Sequence, residues 1–124
     1  TGDERKAIDS IMTKLRQLVQ ETGVGLFLVS HLRRPNGKAH EDGGQISLAE
    51  LRGSASIAQL SDMVIGLERD QQHADPQVRN TTTVRVLKNR YAGLTGVACY
   101  LYYDKDTGRM IETTCPVGDE KQEF

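Results

Sequence analysis

A helical segment that leads directly into a continuous apolar run most constrains how this chain can fold. Apolar residues recur every three or four positions over residues 3–22, which predicts an amphipathic helix that stops at Gly23. The run VGLFLVS at 24–30 then lacks polar alternation, as expected for a strand covered on both faces in a parallel sheet. Helix followed by buried strand is the repeating unit of α/β proteins, so the predicted fold class is α/β. The predicted apolar face of the helix comprises Ile8, Ile11, Met12, Leu15, Leu18 and Val19.

The later segments predict another buried strand followed by an antiparallel meander. A long loop at 31–47 contains Gly and Pro, and a short helix interrupted near Gly53 is expected after it. Residues 69–80 are predicted to form a polar loop. The predicted strands are DMVIGLE at 62–68, TTTVRVLKN at 81–89, GVACYLYYD at 96–104 and RMIET at 109–113.

The bulk properties suit one globular domain. The chain has 124 residues, 37% of them hydrophobic and 27% charged. Its net charge of −1 excludes a general basic field for nucleic acid, so any such binding must come from local clusters. No apolar run reaches the length of a membrane span, and the two Cys lack metal-ligand spacing, so we predict no membrane partner and no metal site. The chain opens with Thr1 rather than Met, which indicates a segment of a longer protein.

Two groups of charged residues follow the first predicted strand. His31 comes directly after it, and ligands of open α/β sheets bind beyond the carboxyl ends of strands. The alternative is an ordinary surface histidine at a strand end. Arg33, Arg34 and Lys38 crowd the next loop and suit a sugar–phosphate backbone, although a solvated loop explains them equally.

A second pair of cations, Lys88 and Arg90, stands at the end of a predicted strand. Guanidinium forks and ammonium charges both bind phosphate oxygens, and a cation facing a transferring phosphoryl group accelerates hydrolysis. Protection of a sheet edge is the alternative explanation. Arg69 and a tyrosine such as Tyr103 are candidates for stacking on a nucleobase, unless the tyrosine belongs to a sheet face.

Several motifs are absent from the chain. The sequence holds no G-x-x-x-x-G-K-[ST] phosphate loop and no convincing Ser–His–Asp set. The chain therefore cannot bind a nucleoside triphosphate in the usual way with its own motifs.

Five stretches, taken in order, resemble the C-terminal part of replicative DNA helicases. The resemblance is to the helicase-primases of T7-like phages and their mitochondrial relative Twinkle, and more broadly to bacterial DnaB-type ring helicases. It covers nearly the whole chain. The stretches are DERKAIDSIMTKL, VSHLRRPNGKAHEDG, SLAELRGSASIAQLSDMVIGLERDQQ, VLKNRYAGLTG and YYDKDTG.

The resemblance implies the C-terminal portion of a RecA-like P-loop ATPase core that assembles as a ring hexamer around single-stranded DNA. The complete protein would use ATP or dTTP with Mg²⁺. His31 would then sense the γ-phosphate, and Arg90 would be an arginine finger that reaches the ATP site of a neighbouring subunit, with Lys88 beside it. Arg69 and Tyr103 match positions that hold the base.

The resemblance also assigns DNA and protein contacts. Arg33 and Lys38, with Arg34 and Arg52, match the DNA-facing positions. Residues 1–115 would be a partial motor domain and 116–124 a polar acidic tail, whose Phe124 would dock on the replicative polymerase. The acidic neighbours of Phe124 are Asp119, Glu120 and Glu123.

The chain departs from the family in what it lacks. The phosphate loop, the catalytic Glu, the magnesium-binding Asp and the primase are not in it, so we expect the chain alone neither to hydrolyse ATP nor to unwind DNA. A phage protein of this kind would work in the cytoplasm of the infected bacterium. Two alternatives stay open: a non-catalytic module that binds single-stranded DNA, and a fragment of a RecA-like recombinase or accessory ATPase.

Overall fold

The N-terminal helix forms as predicted. A computed structural model describes residues 2–32, 44–51 and 55–116 of the chain, and its first element, α1, spans Gly2–Thr22. Gly23 ends the helix with a φ of 73°, and its N–H donates to the Val19 carbonyl at 2.8 Å. Glycine adopts this left-handed conformation without the steric cost that other residues bear, which explains the stop.

The apolar face of α1 is only partly covered. Met12 is buried, whereas Ile11 is 55% exposed and Leu18 is 45% exposed. Among the described elements, α1 packs mainly against α2, a helix of five residues at Ser56–Leu60. So short a neighbour covers about one turn of α1, so the rest of the predicted face remains in contact with solvent.

The remaining helical elements follow the prediction in part. A 3₁₀ turn at Leu48–Glu50 precedes α2, in agreement with a short interrupted helix, and the predicted interruption near Gly53 lies outside the described residues. The predicted polar loop at 69–80 contains a further helical turn, α3, at Pro76–Arg79. The Asp75 carboxylate caps α3 by accepting from the Gln77 N–H at 2.9 Å.

The strands form a four-stranded antiparallel sheet in the order β1-β2-β3-β4. Each strand pairs with its neighbour in the sequence, so the predicted meander is confirmed. The strands are β1 Met63–Glu68, β2 Thr81–Asn89, β3 Gly96–Asp104 and β4 Arg109–Thr113.

One face of the sheet carries the core. Val97 is fully buried and Tyr100 is 2% exposed. Ile46, from the segment before α2, covers Gly66 of β1, where an added Cβ would lie 3.2 Å from the Ile46 Cγ2. The absence of a side chain at Gly66 therefore lets this segment approach the sheet closely.

A buried ion pair joins the first two strands beneath that segment. Arg85 of β2 donates to both carboxylate oxygens of Glu68 of β1, with N–O distances of 2.9 and 3.1 Å. The Ile46 N–H donates to the same carboxylate at 2.6 Å. The charge of Glu68 is thus compensated by a bidentate partner, as burial of a carboxylate requires.

The predicted parallel strand at 24–30 is wrong for this structure. The segment makes no strand, and Phe27 and Val29 are 96% and 92% exposed. A strand needs a hydrogen-bonding neighbour, and none of the four strands in the described ranges pairs with this segment. The run therefore has apolar content without a described surface to cover it.

The strand predicted at 62–68 forms as β1, but only one of its faces is buried. Gly66 and Glu68 face the core, whereas Ile65 and Leu67 are 53% and 63% exposed. The expectation of a strand buried on both faces in a parallel sheet is therefore wrong here, since β1 pairs antiparallel with β2. The broader prediction of an α/β chain with a C-terminal antiparallel hairpin is confirmed.

In the described ranges, no helix combines the length and the apolar content that a membrane span requires.

Candidate functional site

Lys88, near the end of β2, and Arg90, just after it, meet the C-terminal end of α2. The Lys88 Nζ donates to the carbonyls of Ala58 and Gln59 at 2.6 and 3.1 Å. The Arg90 Nη2 donates to the Gln59 carbonyl at 2.8 Å. Carbonyls at a helix end lack partners within the helix, so they attract cations. The structure thus brings the predicted pair together on one acceptor.

A carboxylate junction fixes the second cation from another side. It consists of Asp62, Arg16 and Arg90. Arg90 Nη1 donates to Asp62 Oδ1 at 2.8 Å, and Arg16 Nη1 of α1 donates to Asp62 Oδ2 at 2.9 Å. The Arg90 backbone N–H also donates to the Asp62 carbonyl at 2.9 Å. Both the backbone and the side chain of Arg90 are therefore held by Asp62.

The charges of the junction keep its carboxylate ionised. The hydrogen bond from Arg16 lowers the pKa of Asp62 below its ordinary value, and the charges of Arg16 and Arg90 and a hydrogen bond from Tyr91 act in the same direction. Desolvation works against this shift and is outweighed. The side chain of Arg90 is 40% exposed, so the junction leaves part of the guanidinium accessible.

The two residues predicted to hold a base share a different neighbour, the buried Asn80. Arg69 Nη2 approaches the Asn80 Oδ1 at 3.4 Å, and Arg69 Nε donates to the Arg79 carbonyl at 2.7 Å. The Tyr103 backbone N–H donates to the Asn80 carbonyl at 2.8 Å, and its side chain is 37% exposed. The structure therefore brings Arg69 and Tyr103 to one place.

These two clusters lie at opposite ends of β2. Asn80 immediately precedes Thr81, the first residue of β2, whereas Arg90 immediately follows Asn89, the last. Nine extended residues span about 26 Å at the usual rise of a strand. The two clusters are therefore well separated along one strand of the chain.

The histidine predicted as a phosphate sensor is exposed. His31 follows the 24–30 segment, which is not a strand here, so the geometric argument that placed it at a strand end fails. The Ser30 hydroxyl donates to the His31 carbonyl at 3.2 Å, and Leu32 forms an isolated bridge with Leu51. Its candidacy depends on the family resemblance alone.

The predicted DNA-contact and tail residues lie outside the described residues. This group comprises Arg33, Arg34, Lys38, Arg52, Asp119, Glu120, Glu123 and Phe124. Within the described ranges, His, Cys, Asp and Glu side chains form no group of three that is suited to a metal ion.

Sequence reasoning missed Asp62, Arg16 and Asn80. Arg16 lies one helical turn after the buried Met12, and a cation on the inward side of a helix needs a carboxylate partner. That spacing could have indicated an acidic partner for Arg16, but not which one. Asn80 carries no comparable pattern, because its importance depends on two residues distant in the sequence.

The structure combines helices with a sheet, as an α/β domain does. Residues 1–112 match the model of the DnaB-like helicase C-terminal domain, and the chain belongs to this family. The resemblance to helicase-primases is thereby confirmed.

Two relatives extend the similarity. The chain is 50% identical over 120 residues to a DNA helicase/primase of Enterobacteria phage T3. The aligned region covers 96% of the chain and 20% of the phage protein. It is 31% identical over 116 residues to a chloroplastic and mitochondrial Twinkle homolog of Arabidopsis thaliana, which covers 93% of the chain and 16% of that protein. The chain thus spans about a fifth or less of the length of these relatives.

Proposed function

We propose that this chain is part of the motor of an ATP-dependent replicative DNA helicase. The complete protein unwinds duplex DNA by moving along single-stranded DNA as a ring hexamer. It hydrolyses ATP or dTTP, with Mg²⁺ as the cofactor. Membership of the DnaB-like family and similarity to a phage helicase/primase over 96% of the chain support this assignment. Because the chain has no phosphate loop, hydrolysis depends on residues that other parts of the protein supply.

The separation of the two clusters along β2 carries the mechanistic part of the proposal. Arg69 and Tyr103 hold the base of the nucleotide in their own subunit. Arg90 lies at the other end of β2, about 26 Å along the strand, and we propose that the nucleotide it touches belongs to another subunit. This geometry supports an arginine finger that acts across a subunit interface, with Lys88 as a second cation.

Arg90 suits the chemistry of phosphoryl transfer. Negative charge spreads over the oxygens of the transferring phosphoryl group, and a planar guanidinium donates to two such oxygens at once. A positioned arginine of this kind accelerates hydrolysis by about 10³–10⁵ in nucleotide hydrolases. Lys88 adds positive charge close by, without the same directional fork.

The DNA-facing part of the proposal involves residues outside the described ranges. Arg33, Lys38 and Arg34, with Arg52, bind phosphates of the single strand, and His31 reports the state of the γ-phosphate to their loop. Changing His31→Ala in the complete helicase should abolish the stimulation of hydrolysis by single-stranded DNA. Stimulation equal to that of the unchanged protein would rule out this role.

The tail beyond residue 116 is proposed to bind the replicative polymerase through Phe124 and its acidic neighbours. Deleting Phe124 should weaken polymerase binding in a pull-down with purified proteins while leaving DNA-stimulated hydrolysis unchanged. Undiminished binding would contradict this assignment.

Mixing subunits tests whether Arg90 acts across an interface. One variant of the complete helicase carries Arg90→Ala, and the other carries an inactivated phosphate loop but an unchanged Arg90. Each variant alone should be inactive, and mixed rings should regain DNA-stimulated hydrolysis, because intact pockets then meet intact Arg90 side chains. Mixtures without any recovery would contradict action across the interface. Strand exchange without unwinding would favour a recombinase, and salt-dependent DNA binding without hydrolysis would favour a binding module.

A further inference from the structure

Asp62 contacts Arg90 in a way that the proposed function does not yet use. Its carbonyl accepts from the Arg90 N–H at 2.9 Å, and its carboxylate accepts from the Arg90 guanidinium at 2.8 Å. The Gln59 carbonyl holds the other arm of the guanidinium at 2.8 Å. Two fixed acceptors on two arms define the plane of the guanidinium, because the fork is rigid.

We propose that Asp62 is a positioning residue for Arg90, and that Arg16 holds Asp62 in place for this purpose. The inference rests on the proposed role of Arg90 at a neighbouring nucleotide. Asp62 itself touches neither nucleotide nor substrate. It orients the side chain that does, before the neighbouring subunit presents its phosphate.

Orientation in advance matters because arginine is long and flexible. A free side chain would sample many rotamers, and misplacement by about 1 Å in an active site can reduce the rate about 100-fold. A guanidinium has five N–H groups, and Arg90 donates two of them from its side chain to described partners. The side chain is 40% exposed, and we expect its remaining N–H groups to reach an anion from outside.

Arg16 offsets the negative charge that such a carboxylate brings next to Arg90. A carboxylate paired with Arg90 alone would cancel the positive charge that attracts a phosphate. Because Arg16 donates to the second oxygen of Asp62 at 2.9 Å, the three groups together keep a net charge of +1. Asp62 therefore orients Arg90 while the junction remains attractive to anions.

A purely structural role for the junction predicts different behaviour. In that case the Arg16–Asp62 contact would only attach α1 to the edge of the sheet. Ion pairs with partly exposed side chains contribute little to stability, and these side chains are 28% and 29% exposed. Loss of such an attachment would affect every activity of the subunit alike, wherever the subunit stands in the ring.

The test places the change in the subunit that donates Arg90 and measures hydrolysis in the next pocket. Complete helicase subunits with Arg90→Ala and intact pockets are mixed with pocket-dead subunits that carry Asp62→Ala or Asp62→Asn. Recovery of DNA-stimulated hydrolysis is compared with that given by pocket-dead subunits with an unchanged Asp62. The matched control is Asp104→Asn, a carboxylate whose side-chain hydrogen bonds within the described ranges come from its own turn, from the Asp106 N–H at 3.0 Å and the Thr107 hydroxyl at 3.1 Å.

The expected result is that kcat in the Asp62→Ala mixture falls about 10–100-fold, with KM for the nucleotide within about twofold. Asp62→Asn keeps one acceptor oxygen and should give an intermediate loss. Ring assembly and melting temperature of each variant are measured alongside, so that only assembled rings are compared. If Asp62→Ala does not fold, Asp62→Asn replaces it in the test. The control should recover as fully as the unchanged subunit.

Two failures are distinguishable. If pocket-dead subunits fail to restore hydrolysis to the Arg90→Ala subunits, both with Asp62 unchanged and with Asp62 substituted, the interface role of Arg90 is wrong. If the subunit with unchanged Asp62 restores it and both Asp62 variants restore it equally well, Arg90 acts as proposed and the positioning role of Asp62 is overturned.

Discussion

The sheet β1–β4 and the apolar segment at 24–30 are both rich in hydrophobic residues, yet only the sheet buries them well. Val97 of β3 is fully buried, whereas Val29 is 92% exposed. The difference lies in the source of the partners. Each strand of the sheet pairs with its neighbour in the sequence, to which a single connecting segment (69–80, 90–95 or 105–108) joins it. A run suited to a parallel sheet needs partners that cannot be adjacent in the chain.

This contrast teaches that hydrophobic content indicates what a segment can bury, and that chain connectivity decides what it does bury. β1 shows both behaviours within one strand. Its inner residues Gly66 and Glu68 face the segment of Ile46, while Ile65 and Leu67 on the other face remain exposed.

Removing the buried carboxylate of the sheet should give the largest change. Glu68→Ala leaves the Arg85 guanidinium buried without its bidentate partner and removes the acceptor of the Ile46 N–H. The expected cost is about 3–5 kcal/mol of unfolding free energy. Urea denaturation of the chain measures it, and Glu68→Gln, which retains one acceptor, should cost less. A loss below that of an exposed substitution would show that the pair does not hold β1 to β2.

A smaller loss is expected from the hydrophobic centre of the sheet. Val97→Ala removes two buried methyl groups, worth about 1.6 kcal/mol in transfer free energy, and leaves a small cavity that adds to the loss. The same denaturation measurement gives the value. A cost near zero would mean that the sheet is as loosely covered as the 24–30 segment, which would remove the contrast.

The junction between α1 and the sheet should respond to acid. The pKa of Asp62 in the folded chain lies below its ordinary value of 3.8, because Arg16 and Arg90 favour the ionised form. Its contribution to stability is therefore complete above pH 3.8 and is lost as the pH falls through the folded value. The difference in melting temperature between the unchanged chain and Asp62→Asn should narrow on acidification. A constant difference across this range would show that the charge of Asp62 plays no part.

The smallest effect is expected at the exposed valine. Val29→Ala should change the unfolding free energy of the 124-residue chain by less than about 0.5 kcal/mol, since the side chain is 92% exposed. The same substitution in the complete helicase sharpens the comparison. A larger cost there would show that other parts of the protein cover this segment, and equal small costs would show that the segment stays exposed.

Local pattern predicted those elements whose partners are also local. The 3.6-residue periodicity gave α1, and alternation with intervening turns gave β2, β3 and β4 in their correct pairing. The prediction failed at 24–30 and on the outer face of β1, because apolar runs do not state which surface covers them. The turn α3 was missed because four residues are too few for a helical pattern.

The candidate site was predicted through family resemblance more than through physics. Charge and position alone left Lys88 and Arg90 open to explanation as edge protection, and resemblance supplied the interface hypothesis. Neither charge and position nor family resemblance could predict the contacts of Arg90 with Asp62 and Gln59. These contacts depend on how the end of α2 meets the end of β2. Pairs 28 and 31 residues apart leave no pattern in a single sequence.

The neighbour-to-neighbour order of the sheet also has a kinetic consequence. Strands that follow one another lie close in the chain, so their pairing loses less chain entropy than pairing with distant partners would. Such a meander is suited to be the folding nucleus of this region. Segments that must wait for distant partners, such as 24–30, would then assemble on a surface that already exists.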